Sequence, residues 1–257
     1  MDLWILVFLL VVVQPVFGWW RFKRFVARGE MPSTNRKLRL YFVVLLTQWT
    51  LTAMCAWVMA RRHLNIADLG LLHAGPAWAW ILATVLGLVL AGATMLAVRS
   101  IRAGQSEIPS HLRHIARILP QNVMERIGFT PVALTAGICE ETLYRGFLVF
   151  AFYQASHNVW LALGLSTLAF GFGHLYQGPR GILATMVLGF VLATLYSASK
   201  SLWPGIALHA FIDLANGNAL GSLSRPKPAP PLSLTPPTDH TQAEAGEIPS
   251  PERTTGT

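Results

Sequence analysis

The sequence predicts an all-α fold, a polytopic transmembrane helix bundle of about seven to eight spans, and three observations predict it. Long uncharged runs recur, such as Leu3–Phe17, Leu40–Ala60 and Ala77–Val98. About 20 apolar residues in a helix match a hydrocarbon core about 30 Å thick. Only 12% of the 257 residues are charged, whereas a soluble domain carries roughly 25%. The positive charges also gather in particular links. Arg21, Lys23, Arg24, Arg28, Arg36, Lys37 and Arg39 lie after the first run, and Arg99, Arg102, Arg113, Arg117 and Arg126 after the third.

Taken in order, the spans are expected at 3–20, 40–60, 77–98, 130–152, 159–175, 181–198 and 202–220. The first begins Met1-Asp2 with no basic leader and no small-x-small cleavage site before Trp19, so it reads as a retained span. Residues 104–129 hold either an eighth membrane segment or an amphipathic interfacial helix, with Leu112, Ile115, Ile118 and Leu119 set beside His111, Arg113 and Arg117. Trp19, Trp20, Trp78, Trp80, Trp160 and Trp203 fall near span ends, as interfacial anchors do. After Gly221 a run rich in Pro, Ser and Thr cannot bury enough apolar surface to offset its ordering entropy, which predicts disorder. The expected organisation is 1–127 as membrane spans with basic links, 128–221 as a helical core and 222–257 as a tail.

The net charge of +8 does not imply a nucleic-acid partner. Basic links stay cytoplasmic during insertion and contact anionic lipid, so the charges report topology and place the C-terminus inside. Arg61 and Arg62 oppose that orientation. Cys55 and Cys139 both sit within apolar runs and imply no disulfide framework. The C-terminus, Thr-Thr-Gly-Thr, carries no prenylation box.

An ionisable residue at the centre of a span costs roughly 2.5–3.5 kcal/mol on insertion scales, so it calls for a partner or a purpose. The first three spans contain none, and the last four hold three constellations. In Cys139-Glu140-Glu141-Thr142-Leu143-Tyr144-Arg145, an α-helix places Glu141 four residues from Arg145 and Glu140 four from Tyr144. One carboxylate is thereby neutralised and the other left available. Phe170 and His174 share a face at the end of the fifth span, with Gly171 and Gly173 permitting close approach. His209 and Asp213 share a face in the last span. Each alone also reads as a helix end near water, a membrane-edge histidine or a helix-gluing pair. Together they predict one polar cavity in which Glu, His, His and Asp converge, a hydrolytic set.

Glu140-Glu141-x-x-x-Arg145, Phe170-x-x-x-His174 and His209-x-x-x-Asp213, in that order on separate spans, resemble the three motifs of the CPBP family, the CAAX proteases and bacteriocin-processing enzymes. The stretches His174–Gly181 and Ser201–Gly205 are similar to bacterial members, and the resemblance covers roughly residues 128–220. It implies an intramembrane glutamate endopeptidase with catalytic Glu140, His174, His209 and Asp213, supported by Glu141, Arg145, Phe170 and Tyr144. Glu140 would be the base and His174 would hold the water. His209 would stabilise the oxyanion, oriented by Asp213 where the family often has asparagine. It further implies a membrane-associated or lipidated peptide or protein substrate and a bacterial inner (plasma) membrane; no cofactor is expected, because no His-Glu-x-x-His arrangement is present and a metal would need ligands from three separate helices. The alternatives are a zinc protease with Glu140, His174 and His209 as ligands, a Cys139 nucleophile, a non-catalytic binding or immunity protein, and a proton-coupled transporter.

Overall fold

The protein is described here by a computed structural model covering residues 3–27, 31–104 and 110–224. The expected disorder after Gly221 falls almost wholly outside the described residues, as does Arg28. Among the described residues the chain is all-helical, without strands. Its long helices are α1 (Leu3–Val26), α2 (Thr34–Ala60), α3 (Ala77–Arg102), α5 (residues 123–156), α6 (Val159–Gly173), α7 (Gly178–Ser199) and α8 (Trp203–Gly221). A short helix, α4 (Ser110–Ala116), lies between α3 and α5. At about 1.5 Å per residue α4 is far too short to cross a bilayer. The last seven residues of the 104–129 stretch are instead the start of α5, which begins at Val123, seven residues before the expected span.

Four helices are long and apolar enough to cross a membrane by length and composition: α1, α2, α3 and the segment Leu175–Ser199 that contains α7. Helix α6 is as apolar but has only 15 residues, about 22 Å against a core of about 30 Å. Helices α5 and α8 carry the polar residues of interest. The outer faces are apolar and unpartnered, with Phe42, Leu46, Ile81, Leu88, Leu96, Leu183 and Val187 all exposed, as lipid-facing side chains are. All six tryptophans expected at span ends are exposed there, and the indoles of Trp80 and Trp203 donate to the carbonyls of Ala74 and Leu71.

Local chemistry explains the boundaries. Asn122 caps α5 by accepting from the Glu125 amide, and Asn158 caps α6 by accepting from Trp160 and Leu161. His157 and Lys200, both in the left-handed region, end α5 and α7. Proline opens α7 and α8 within their first two positions. In α1 the ladder widens to a π turn over Leu9–Val13, with Gln14 donating to Leu9 O immediately before Pro15. The widening fits a proline that offers no amide and crowds the carbonyl four residues back.

Contacts between ends fix the alternation of the helices. The Leu202 amide donates to Gly70 O at 2.9 Å and Ser201 Oγ to His73 O at 2.6 Å, so the α2–α3 link lies beside the α7–α8 turn. At the other, basic end, Arg102 of α3 donates to Ser222 O after α8, and Arg117 donates to Val26 O after α1. Arg24 and Lys23 stack on Trp20 and Trp19 at 3.9 and 4.1 Å.

Lys37 departs from the expectation that these cations meet lipid headgroups. It is fully buried and pairs with Glu125 Oε2 at 2.9 Å while donating to Leu119 O at 3.0 Å. Thr34 Oγ1 and the Gln121 amide also donate to the Glu125 carboxylate. Burial alone would raise the Glu125 pKa, but the hydrogen bonds from Lys37, Gln121 and Thr34 and the Lys37 charge outweigh it and hold the pKa below the ordinary 4.5. A carboxyl whose folded pKa is depressed lends stability that is complete above its unfolded pKa and disappears as pH falls through the folded one. The melting temperature in detergent should therefore fall with acidification below about pH 4.5. In Glu125→Gln that part of the pH dependence should be missing, and an identical acid profile in the variant would refute the assignment.

Two apolar clusters fill the bundle. In one, Leu6 and Leu10 of α1, Val58 and Met59 of α2, and Leu143, Phe147 and Leu148 of α5 pack with Ala169 and Phe170 of α6. In the other, Ala79 and Ala83 of α3 meet Leu192 and Leu195 of α7 and Leu208 and Ile212 of α8. Helices α5 and α8 approach closely at Gly137, where a Cβ would lie 2.7 Å from Ile206 O and 2.9 Å from Ala210 Cβ. A methyl group there must push apart the two helices that carry Glu140, Glu141 and His209. Gly137→Ala is expected to destabilise by about 1–3 kcal/mol, the usual cost of overpacking, and to lower activity. Gly92→Ala, where nothing lies within 4 Å, should be neutral or stabilising by up to about 1 kcal/mol. Melting temperatures and rates for the two variants check this contrast, and equal behaviour of both contradicts it.

Candidate active site

The polar residues of α5 lie where the helix itself changes. From Glu141 to Leu148 the ladder is π-helical, and every one of these eight residues is buried. An amphipathic surface helix would turn one face to solvent, whereas this segment is packed on all sides. π turns are uncommon and frequently occur at functional sites.

Glu141 and Arg145 pair as expected, Nη1 to Oε1 at 2.8 Å, with both side chains about 1% exposed. Arg145 Nη2 also donates to Gly189 O of α7 at 3.2 Å, and the guanidinium lies 3.9 Å from the centre of the Phe170 ring. A Cβ on Gly189 would sit 2.9 Å from Phe170 and 3.2 Å from Arg145 Nη2, so glycine is what lets the guanidinium reach that carbonyl. Glu141 Oε1 is shared: His209 Nδ1 of α8 lies 2.8 Å from it. Three fully buried groups from two helices thus form one chain, Arg145–Glu141–His209.

This arrangement turns His209 Nε2 toward the remaining acids. It lies 3.9 Å from Glu140 Oε2 and 3.8 Å from Asp213 Oδ2. These distances are charge contacts but too long for hydrogen bonds. The expectation that Asp213 orients His209 therefore needs revision, because the carboxylate bonded to the ring is Glu141. Asp213 faces the opposite nitrogen, and its side chain is 37% exposed against 3% for His209. An α-helical spacing of four brings Asp213 alongside the imidazole without reaching it, whereas Glu141 approaches end-on from the neighbouring helix.

His174 caps the C-terminus of α6, and its Nδ1 lies 2.9 Å from Phe170 O. With Nδ1 donating to that carbonyl, Nε2 is left as an acceptor. Phe170 links the groups. Its ring centre is 4.8 Å from that of His174, 5.7 Å from His209 and 5.2 Å from Tyr144, the last two edge-on.

Glu140, Glu141, His209 and Asp213 are thus brought together directly. His174 joins them through the Phe170 ring, with no hydrogen bond to any of their carboxylates. Two polar residues from the N-terminal helices also reach this region, and sequence reasoning passed over both. Gln48 of α2 donates through Nε2 to Glu140 Oε1 at 2.7 Å. Gln14 of α1 accepts from the Tyr144 hydroxyl at 3.3 Å. Both are neutral amides inside uncharged runs, and that lone polarity was the available signal.

Among the described residues no three His, Cys, Asp or Glu side chains are placed to hold one metal ion. Cys139 is fully buried.

Comparison with known proteins agrees with the motifs. Residues 122–215 match the family model described as Rce1-like, type II CAAX prenyl endopeptidase. This match runs from the start of α5 into α8, contains all three motifs and bears out the resemblance to the CPBP family. No curated protein and no solved structure matches the chain significantly.

Proposed function

We propose that this chain is a CPBP-type integral membrane endopeptidase that cleaves a peptide bond by glutamate-activated water, with prenylated or otherwise membrane-anchored peptides as its substrate class. The family description supports the substrate class. One observation carries the mechanism: Glu140 Oε2 and Asp213 Oδ2 both face Nε2 of a His209 whose other nitrogen is held by Glu141. A ring fixed at Nδ1 presents a single nitrogen to the reacting groups.

In this reading a water lies between Glu140 and His174 Nε2. Its oxygen attacks the scissile carbonyl carbon while Glu140 Oε2 takes a proton, and His209, as imidazolium, donates Nε2–H to the oxyanion that forms. Collapse breaks the C–N bond, and Glu140 returns the proton to the departing nitrogen. The products are a carboxylic acid and an amine, with no covalent enzyme intermediate. Asp213 balances the imidazolium charge from the more open side. No step is routed through a metal.

Orientation follows from charge. The basic end, which holds Arg24, Arg36, Arg102 and Arg117, faces the cytoplasm by the positive-inside rule and carries the C-terminal end of α8 with it. A bacterial plasma membrane fits this arrangement.

The test is cleavage of a membrane-anchored reporter peptide by the purified chain in proteoliposomes, wild type against Glu140→Gln. Wild-type cleavage by the variant overturns the reading.

A further inference from the structure

Gln48 stands outside the family-matched segment and outside all three motifs, yet it hydrogen-bonds the Glu140 carboxylate at 2.7 Å. It sits in the middle of α2, 14 positions after the helix begins at Thr34 and 12 before it ends at Ala60. The donor assignment follows from charge. A carboxylate oxygen only 2.7 Å away accepts from the amide NH2, whereas the amide oxygen would repel it. The bond divides the two carboxylate oxygens. Oε1 is occupied by Gln48, while Oε2 is buried and without a hydrogen-bond partner, as is Gln48 Oε1. Buried polar atoms are nearly always satisfied, and an exception at a polar site points to a ligand or a catalytic role. Oε2 is also the oxygen that faces His209.

We infer that Gln48 is a positioning residue for the peptide-bond hydrolysis. It fixes the Glu140 carboxylate so that Oε2, and not Oε1, is the proton acceptor opposite His209. The inference rests on the protease reading. It makes α2 part of the working site, so residues 122–215 do not contain the whole of it. Thr52, one turn further along α2, hydrogen-bonds Gln48 O through its hydroxyl at 2.9 Å. A carboxylate on α5 free to rotate about its last torsion would sample both oxygens, and a single fixed donor on a neighbouring rigid helix removes that freedom.

The test uses Gln48→Leu, which keeps the side-chain bulk and removes the donor. Rates of the full chain in proteoliposomes with the reporter peptide are read as kcat and KM, beside the melting temperature. The expected result is a fall in kcat of about 10- to 100-fold, as for misplacement of a catalytic group. KM should stay within about two-fold, since a group that acts on the transition state alone leaves binding unchanged. Placed on Glu140→Gln, the same substitution should reduce the residual rate no further, because Gln48 acts through Glu140. Wild-type kcat in Gln48→Leu, a loss carried by KM, or additive losses in the double variant each overturn the inference. Should Gln48→Leu not fold, Gln48→Asn, whose amide stops one methylene short, decides by the same kcat criterion. An active Glu140→Gln sinks the protease reading itself. An inactive Glu140→Gln beside a fully active Gln48→Leu removes only the role of Gln48.

Discussion

Glu140→Gln is expected to fold as the wild type does and to lose turnover by about 10²- to 10⁴-fold, the usual contribution of a general base. The substitution changes neither the length nor the shape of the side chain. Its amide oxygen still accepts from Gln48 Nε2, the 2.7 Å bond that holds the carboxylate. It no longer offers a basic oxygen toward His209, and no other described carboxylate takes that place. Glu141 is committed to Arg145 and His209 through the same oxygen, and Asp213 lies on the open side of the imidazole. Initial rates on a membrane-anchored peptide, with melting temperature measured in parallel, separate chemistry from folding. A loss of rate without a loss of melting temperature supports the assignment, and an equal loss of both argues that Glu140 is structural.

The three motif pairs were legible in the sequence because charge is expensive in lipid. Glu140, Glu141, Arg145, His209 and Asp213 stand out against apolar runs, and the cost of leaving them unpaired already implies that they meet. What spacing could not decide was which acid meets which nitrogen. In an α-helix His209 and Asp213 share a face and invite pairing, but the structure gives Nδ1 to Glu141 across the helix interface. That outcome depends on the close approach of α5 and α8 at Gly137 and on the π turn beginning at Glu141. Neither is encoded by periodicity. Gln48 was hidden for the opposite reason: a neutral amide in an uncharged run raises no alarm on a charge criterion, although a buried amide needs partners just as a carboxylate does. Lys37 shows the same limit. It lies among cations that read as lipid contacts, and only the folding of Val123 to Glu140 beside α2 brings Glu125 to it. The helix order itself was readable from hydropathy, since each long helix overlaps one expected apolar run, although only four of them are long and apolar enough to cross a membrane.

Arg145→Met is expected to cost about 3–5 kcal/mol of stability, the penalty for stripping one partner from a buried ion pair. For a chain of this size that corresponds to roughly 6–20 °C in melting temperature. Methionine fills much of the volume, so the loss is electrostatic rather than a cavity effect. Glu141, 1% exposed, would keep only His209 as a donor. The guanidinium's bond to Gly189 O and its place 3.9 Å over Phe170 would go too, and with them the tie between α5, α6 and α7. Arg145→Lys retains the charge but lacks the planar fork that serves Glu141 and Gly189 together, so it should fall between the two. The double variant Arg145→Met/Glu141→Gln separates a charge penalty from simple loss of packing. Removing both charges together abolishes the unpaired carboxylate, and most of the stability should return. Activity should not return with it, because the glutamine at 141 no longer holds His209 Nδ1 with a charged acceptor. Recovery of folding without recovery of catalysis would place Arg145 in the architecture and Glu141 in both. If Arg145→Met melts at the wild-type temperature, the buried chain Arg145–Glu141–His209 is not what holds the site in place.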